Sequence, residues 1–344
     1  MDKKDIKSMY FDELSEALKE SGLPSFRAKQ IWQWIQQKGV VSFEQMTNLS
    51  KELRSRLNEE YELKYCEVEK KSVSALDGTV KYLFRLYDGQ FIESVLMKYK
   101  YGYSLCVSTQ VGCRMNCAFC ATGVGGFIRN LSASEILSQV HAAQNDMNIK
   151  VSHIVLMGMG EPMDNYDNVI RFLRLVNNDD GLNIGMRNIS LSTCGIIPGI
   201  KKLAEENLQL TLSVSLHAPN DEIRSKLMPV NKKYNVDELL QTCKSYADST
   251  SRRISYEYAM FGGVNDSDEC AHELAQKLKG TLSHINLIPA NDVTESGLKS
   301  STPERIRKFS EILEKAGRNV TVRRSLGGDI DASCGQLRSK HLKS

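Results

Sequence analysis

The sequence predicts an α/β fold in which six parallel strands form a partial barrel. From residue 104 to residue 316, short apolar segments alternate six times with helical segments. This pattern is typical of a parallel sheet with right-handed crossovers. Six units are too few for the closed eight-stranded barrel, so we expect a barrel that is open on one side. The predicted strands are residues 104–108, 153–157, 189–193, 210–217, 254–260 and 284–288.

The pattern of residues 1–62 predicts a small helical accessory domain that precedes the barrel in the sequence. Trp32 and Trp34 lie on its second helix, close to several basic residues. They have two interpretations: a surface that stacks RNA bases, or the core of a small helical bundle. The predicted helices cover residues 11–21, 26–37 and 43–57.

Residues 63–103 predict a β-hairpin extension, because apolar and polar residues alternate and two Asp-Gly pairs interrupt them. Glu93 shares one face of a predicted strand with Phe91, Val95 and Met97. If that face is turned inward, partial desolvation raises the proton affinity of the carboxylate, as a general base requires. An edge strand with Glu93 in water is the alternative.

Composition indicates a globular cytoplasmic protein. A length of 344 residues corresponds to about two domains, and a hydrophobic content of 41% is enough for a sizeable core. The sequence shows neither a signal or transit pattern nor an apolar run of membrane-spanning length, so we expect no membrane association. The formal net charge of +3 is no strong nucleic-acid signal, although residues 323–344 are basic.

Three cysteines, Cys113, Cys117 and Cys120, lie within eight residues at the spacing CxxxCxxC. In a chain without signs of secretion, such a cluster indicates metal binding rather than disulfides. Structural zinc and cubane iron-sulfur clusters usually take four protein ligands, so three thiolates leave one iron open for a small chelating molecule. The alternative is a zinc site completed by Cys106 or by a histidine.

Polar residues and glycines fall at the carboxyl ends of the predicted strands, where open α/β sheets bind ligands. Each has an ordinary interpretation, such as a turn cap for a serine or a core position for a histidine. Their convergence on one sheet edge indicates a ligand site instead. These residues are Gly160, Glu161, Ser192, Ser215, Leu216, His217 and Asn291.

The CxxxCxxC spacing resembles the signature of the radical S-adenosylmethionine (SAM) superfamily. The chain as a whole resembles the RlmN/Cfr family of radical SAM RNA methyltransferases, from its helical start to the tail Asp329-Ile-Asp331-Ala-Ser-Cys334-Gly-Gln-Leu337. The resemblance implies a radical SAM partial (β/α)6 barrel at residues 104–324 and a tail at residues 325–344 that carries the methyl-accepting cysteine. It implies one [4Fe-4S] cluster per chain on the cysteine triplet, and SAM contacts at the seven strand-end residues.

The resemblance also implies a mechanism with two cysteines. One SAM methylates Cys334, and a second, cleaved by an electron from the cluster, yields a radical that activates the S-methyl group. Two SAM molecules are therefore consumed per methylation. After the methylene group has added to adenine, Glu93 is the proton acceptor and Cys106 the resolving thiol, which leaves a transient disulfide with Cys334.

By the same resemblance, the substrates are adenosines in the peptidyl-transferase region of 23S rRNA and next to the tRNA anticodon. The motifs Gly158-Met-Gly-Glu-Pro162 and Leu227-Met-Pro-Val-Asn231 resemble the branch that methylates carbon 2. The alternative is carbon-8 methylation of rRNA, which confers antibiotic resistance. We also expect a monomer and an electron donor such as flavodoxin or ferredoxin. A second alternative belongs to another functional class: a zinc-stabilised RNA-binding protein without redox chemistry.

Overall fold

The computed structural model describes residues 3–290, 297–333 and 335–337. In the N-terminal part, one short strand precedes three helices and another follows them, and the two strands pair in parallel. These elements are β1 (Lys4–Asp5), α1 (Phe11–Glu20), α2 (Ser25–Trp32), α3 (Lys51–Glu60) and β2 (Tyr61–Glu62). The third predicted helix is wrong in extent: Phe43–Gln45 forms a separate 3-10 turn. The N-cap explains this, because the Ser50 hydroxyl accepts the N–H of Leu53 at 3.2 Å and starts α3 there.

Trp32 belongs to the core of this helical part. Its side chain is 2% exposed and packs edge-to-face on Phe11, with ring centroids 5.5 Å apart. Its indole N–H donates to the carbonyl of Asp180 at 3.0 Å. Trp34 is partly buried, and the ammonium of Lys38 lies 3.5 Å from its ring centroid. The core interpretation is therefore confirmed for Trp32.

The predicted hairpin extension consists of three antiparallel strands, β3 (Cys66–Val73), β4 (Val80–Leu86) and β5 (Phe91–Tyr99). Gly78 and Gly89 have φ angles of 74° and 80° in the connecting turns, which favour glycine. These strands are part of the main sheet, because β5 pairs antiparallel with the first strand of the barrel and Val95 lies opposite Cys106.

The barrel follows the predicted alternation of strands and helices. Its strands are β6 (Gly102–Cys106), β9 (Val151–Leu156), β10 (Ile189–Thr193), β11 (Thr211–Ser215), β12 (Ile254–Met260), β13 (Ser283–Pro289) and β14 (Val320–Val322). Between β6 and β9, the short strands β7 (Gln110–Gly112) and β8 (Phe127–Asn130) pair with each other outside the main sheet. Its helices are α4 (Ala121–Val124), α5 (Ala133–Met147), α6 (Tyr166–Asn177), α7 (Ile197–Glu205), α8 (Asp221–Leu227), α9 (Val236–Thr250), α10 (Asp268–Lys277) and α11 (Pro303–Lys315).

Within the described residues, ten strands form one open sheet in the order β14-β13-β12-β11-β10-β9-β6-β5-β4-β3. The strands from β6 to β14 in this order pair in parallel. The predicted α/β partial barrel is therefore confirmed. The short edge strand β14 adds a seventh parallel strand that was not predicted. No described helix combines the length and the apolar character needed to cross a bilayer.

Candidate active site

The cysteine triplet lies on the loop between β7 and α4, at the carboxyl edge of the sheet. Cys113 is buried, and Cys117 and Cys120 are partly buried. Backbone hydrogen bonds fix the loop: Cys113 donates to the carbonyl of Gly126 at 2.9 Å, and Ala118 donates to that of Leu227 at 2.9 Å. All three cysteines line one cavity that holds about 1000 Å³ of empty space and opens to solvent.

Most of the predicted ligand residues line this same cavity. Its wall includes Gly160, Glu161, Ser192, Ser215 and His217 together with the three cysteines. The parallel strands explain the convergence, because their carboxyl ends meet at one edge. A concave wall that carries a few convergent polar groups is typical of a site for a small molecule.

Two predicted ligand residues differ from this pattern. Leu216 is fully buried, and its N–H donates to the carbonyl of Glu257 at 3.0 Å. Its carbonyl accepts the Nε–H of Arg224 at 3.1 Å. Leu216 is therefore not among the residues that line the cavity. Asn291 lies outside the described residues.

Glu161 joins the loops that follow β9 and β10. Its carboxylate accepts the N–H of Cys194 at 2.7 Å and the N–H of Met163 at 3.0 Å, and its own N–H donates to the side chain of Gln110 at 2.9 Å. Burial raises the pKa of Glu161, and these hydrogen bonds oppose that shift. Each carboxylate oxygen retains acceptor capacity, so the group suits a ligand amine.

His217 occupies a left-handed backbone position, with a φ of 55°, directly after β11. Its Nδ1 accepts the N–H of Ala259 at 2.9 Å. Burial lowers the pKa of His217 to about 3, so the ring is neutral at pH 7. Because Nδ1 is an acceptor, the proton lies on Nε2, and this N–H is the donor that the ring can offer a ligand.

The thiols of Cys113 and Cys117 are protonated unless a metal displaces the protons. Burial raises the pKa of Cys113 to about 12, and burial also raises the pKa of Cys117. Metal binding to such thiols therefore releases protons. Three cysteines on one cavity wall, beside donors and acceptors for a small molecule, fit a cluster that keeps one iron open.

Cys106, at the end of β6, lines a neighbouring cavity. Met157, Ile288 and Arg323 belong to the walls of both cavities. The tail covers this region: Ala332, Ser333 and Leu337 line the second cavity, and Gly335 lines the first. The predicted methyl-accepting residue Cys334 lies outside the described residues, but the residues on both sides of it are at this junction.

Hydrogen bonds hold the tail against the rest of the chain. The N–H of Ala121 donates to the carbonyl of Gly335 at 2.7 Å, and the hydroxyl of Thr122 donates to that of Leu337 at 2.7 Å. On the other side, the N–H of Gly327 donates to Asp77 at 2.9 Å. The tail therefore connects the β3–β4 turn with the start of α4.

Glu93 lies on the inward face of β5, one of the two alternatives that the strand pattern left open. It is 5% exposed, and the alternative of an edge strand in water is wrong because β4 and β6 flank β5. The ammonium of Lys81 lies 3.1 Å from its Oε1. This cation favours the ionised carboxylate. It therefore opposes the rise in proton affinity that burial of the carboxylate would cause.

Arg224 is a site residue that the sequence pattern does not reveal. Its guanidinium is fully buried, and it donates to the carbonyls of Cys194 at 2.7 Å, Ser215 at 3.0 Å and Leu216 at 3.1 Å. Burial lowers the pKa of Arg224. It fixes the ends of β10 and β11, which carry Ser192 and Ser215. Its place on an amphipathic helix gives no signal of this role.

Glu257 is a second residue that was not predicted. It lies on β12 directly opposite Ser215, is 4% exposed and lines the first cavity. Its carboxylate accepts hydrogen bonds from Ser255 at 3.0 Å and from Asn286 at 2.7 Å. The polar residues at alternate positions of β12 are the signal that could have identified it.

The predicted zinc alternative has no support in the geometry. In the part of the chain that the structure describes, no three Cys, His, Asp or Glu side chains converge as a single metal ion requires. Cys106 lines a different cavity from the triplet. A four-iron cluster needs no such convergence, because each thiolate binds its own iron.

Comparison with known proteins extends over the whole chain. Residues 107–275 match the Radical SAM superfamily, and residues 4–63 match the ribosomal RNA large subunit methyltransferase N-terminal domain. The chain is 53% identical, over 98% of both chains, to the probable dual-specificity RNA methyltransferase RlmN of Thermoanaerobacter sp. (strain X514). It is also 53% identical to the protein of that name from Lachnoclostridium phytofermentans, over 99% of this chain and 96% of that one.

A solved structure agrees with these relatives. The crystal structure of a radical SAM methyltransferase from Sphaerobacter thermophilus has a TM-score of 0.93 and 44% sequence identity to this chain. The match covers 97% of this chain and 99% of that one.

Proposed function

The chain belongs to the RlmN family of radical SAM RNA methyltransferases, and from this we propose that it methylates carbon 2 of adenosine in 23S rRNA and in tRNA. That it is a SAM-dependent RNA methyltransferase follows from the family. The target atom, the two RNAs and the roles of individual residues are the proposal. The rRNA target lies in the peptidyl-transferase region, and the tRNA target lies next to the anticodon.

The observation that carries the proposal is the junction of two cavities. Cys113, Cys117 and Cys120 line the first, Cys106 lines the second, and Met157 and Arg323 border both. The described tail residues contact both cavities, because Ser333 lines the second and Gly335 lines the first. This arrangement supports a reaction in which a protein-bound methyl group passes to RNA.

The family implies a [4Fe-4S] cluster and SAM. In the proposal, Cys113, Cys117 and Cys120 hold one cluster per chain. The proposed SAM contacts on the cavity wall are Gly160, Glu161, Ser192, Ser215 and His217. Asn291 and the buried Leu216 complete the set that the resemblance implies. The bound cluster supplies the electron that cleaves SAM, and a donor such as flavodoxin or ferredoxin replaces that electron. One methylation consumes two SAM molecules, and the protein acts as a cytoplasmic monomer.

The side chains of the protein carry the methyl group and the proton. Cys334 would accept the methyl group, lose one hydrogen of it to the radical from the second SAM, and become linked to the adenine ring through the methylene carbon, with one electron passing from the adduct to the cluster. Glu93 would accept the proton from carbon 2, and the Cys106 thiolate would attack the Cys334 sulfur. The carbon–sulfur bond would then break, the two cysteines would form a disulfide, and the released carbon would take up a proton to give the methylated RNA. The buried position of Glu93 beside Lys81 supports its role, because the charged partner keeps the carboxylate able to accept a proton.

The proposal is tested with purified protein, SAM, a reductant and both RNAs under anaerobic conditions. Mass spectrometry of the digested RNA should detect 2-methyladenosine in both. If both RNAs remain unmodified under conditions in which SAM is cleaved, the proposed activity is wrong. A product methylated at carbon 8 would assign the chain to the resistance branch instead.

A variant of Cys106 tests the roles of the two cysteines. Cys106→Ala should accumulate protein covalently attached to RNA, because the thiol that releases the product is missing. Cys270→Ala is the matched control, since this buried cysteine lies on α10. A Cys106→Ala protein that turns over like the control would contradict the two-cysteine scheme.

A further inference from the structure

Lys81 contacts both the predicted base and the tail. Its Nζ lies 3.1 Å from Glu93 Oε1 and donates to the carbonyl of Asp331 at 3.0 Å. The side chains of Lys81 and Glu93 are 11% and 7% exposed. The strand register explains their proximity, because Leu83 lies opposite Glu93 and Lys81 is two residues before Leu83 on the same face of β4.

Other charged groups face the same groove. Lys70 on β3 and Asp329 and Asp331 of the tail line it together with Glu93 and Lys81. On β6, Cys106 shares this face and is a diagonal neighbour of Glu93, because it is opposite Val95. Lys70 is exposed, whereas Lys81 lies under the tail. The two lysines therefore share a groove and differ in burial and in contact with Glu93.

A carboxylate that is as deeply buried as that of Glu93 is protonated more readily than one in water, because desolvation disfavours its charge. A protonated carboxyl cannot accept another proton. An ammonium group at ion-pair distance reverses this preference, and the loss of solvent screening strengthens the attraction between the two charges. Lys81 is placed to have this effect on Glu93.

We propose that Lys81 is a positioning residue for the RNA reaction. It keeps Glu93 ionised, and it fixes the tail beside Glu93 through the carbonyl of Asp331. The proposal rests on the proposed role of Glu93 as the base. Asp331 is three residues before Cys334, so a single ammonium group sets the position of the base and of the segment that carries the methyl group. The anionic groups Asp329 and Asp331 would otherwise favour a protonated Glu93.

Infrared difference spectroscopy of the full-length protein tests the charge of Glu93 without RNA. The band of a protonated carboxyl is recorded across a pH series in Lys81→Met, Lys81→Arg and Lys70→Met proteins, and each is compared with its Glu93→Gln counterpart. In Lys81→Met the half-protonation pH of Glu93 should rise by about 1 to 3 units relative to the unmodified protein. Lys81→Arg should retain the original value, and Lys70→Met should leave it unchanged.

The RNA reaction supplies the second readout. The covalent RNA–protein adduct should decay more slowly in Lys81→Met at low pH and regain the rate of the unmodified protein as the pH rises, with Lys81→Arg restoring the rate throughout. A Lys81→Met protein whose Glu93 titrates as before would overturn the proposal, and so would equal behaviour of the Met and Arg variants. The infrared titration remains decisive even if neither RNA is methylated, so a failed methylation assay counts against the proposed function alone.

Discussion

The carboxylate of Glu161 accepts the backbone N–H of Cys194 at 2.7 Å, which joins the loops after β9 and β10. These loops form adjacent parts of the cavity wall. The Arg224 guanidinium binds the carbonyl of the same Cys194 at 2.7 Å from the other side. A pair of buried charged groups therefore fixes one residue between the two strand ends.

Glu161→Gln should weaken SAM binding about 10- to 100-fold, which corresponds to the loss of a charged hydrogen bond of about 1.5 to 3 kcal/mol. An amide has only one acceptor oxygen and directs its N–H2 group at one of the two backbone donors. Anaerobic calorimetry with SAM measures the change. Glu206→Gln, which removes an ion pair with Arg174 at the surface, is the control; equal affinities in the two variants would contradict the prediction.

Gly160→Ala should destabilise the protein by about 1 to 3 kcal/mol, because the residue has a φ of 102°. An added Cβ would also lie 2.6 Å from the Cβ of Gln110 and 2.8 Å from its backbone nitrogen. Denaturant unfolding measures the loss. Gly185→Ala is the control, since the nearest atom to its added Cβ is 3.9 Å away. A Gly160→Ala protein as stable as this control would show that the loop tolerates the side chain.

Cys117→Ser should abolish stable cluster binding, because a hydroxyl replaces one of the three proposed thiolate ligands. The unmodified protein purified without oxygen should contain about four irons and four sulfides per chain. Iron and sulfide analysis and visible absorption measure the loss. Cys243→Ala, in the core on α9, should retain both elements. Retention of a full cluster by Cys117→Ser would remove this residue from the ligand set.

The free energy of unfolding should fall as the pH decreases from 6.5 towards 3, in part because of His141. This residue packs against Gly39, its Nε2 lies 3.0 Å from the carbonyl of Gln36, and burial lowers its pKa to about 3. The unfolded chain takes up the proton near pH 6.5 and the folded chain does not, so protonation favours unfolding throughout this window.

The slope attributable to His141 reaches about 1.4 kcal/mol per pH unit. Denaturant unfolding at several pH values should show a shallower slope for His141→Gln than for the exposed control His272→Gln. Identical slopes would mean that His141 is protonated in the folded protein.

The parts of the fold that follow from local pattern were predictable from the sequence. The alternation of strands and helices predicted the parallel sheet. The period of two placed Glu93 on one face of its strand with Val95 and Met97, but it did not decide whether that face is inward. The edge strand β14 has only three residues and exposes Val322, so no local pattern marks it. The third predicted helix is too long, because its apolar period continues across the point where Ser50 caps the start of α3.

Long-range contacts were not predictable in the same way. Lys81 and Glu93 are twelve residues apart, and only the register of β4 and β5 brings them together. Arg224 has the sequence pattern of a surface arginine, whereas in the structure it is buried and donates to three carbonyls at the strand ends and to the side chain of Asn231. The roles of such residues are recognised from the residues that they contact, and a single sequence does not show these contacts.

The contact between Gly335 and Ala121 couples the tail to the cysteine loop. Ala121 directly follows Cys120, so the tail is hydrogen-bonded to the backbone beside the triplet. We expect a change in the position of Gly335 to be transmitted to this loop, and the order of the loop to depend on the tail in turn.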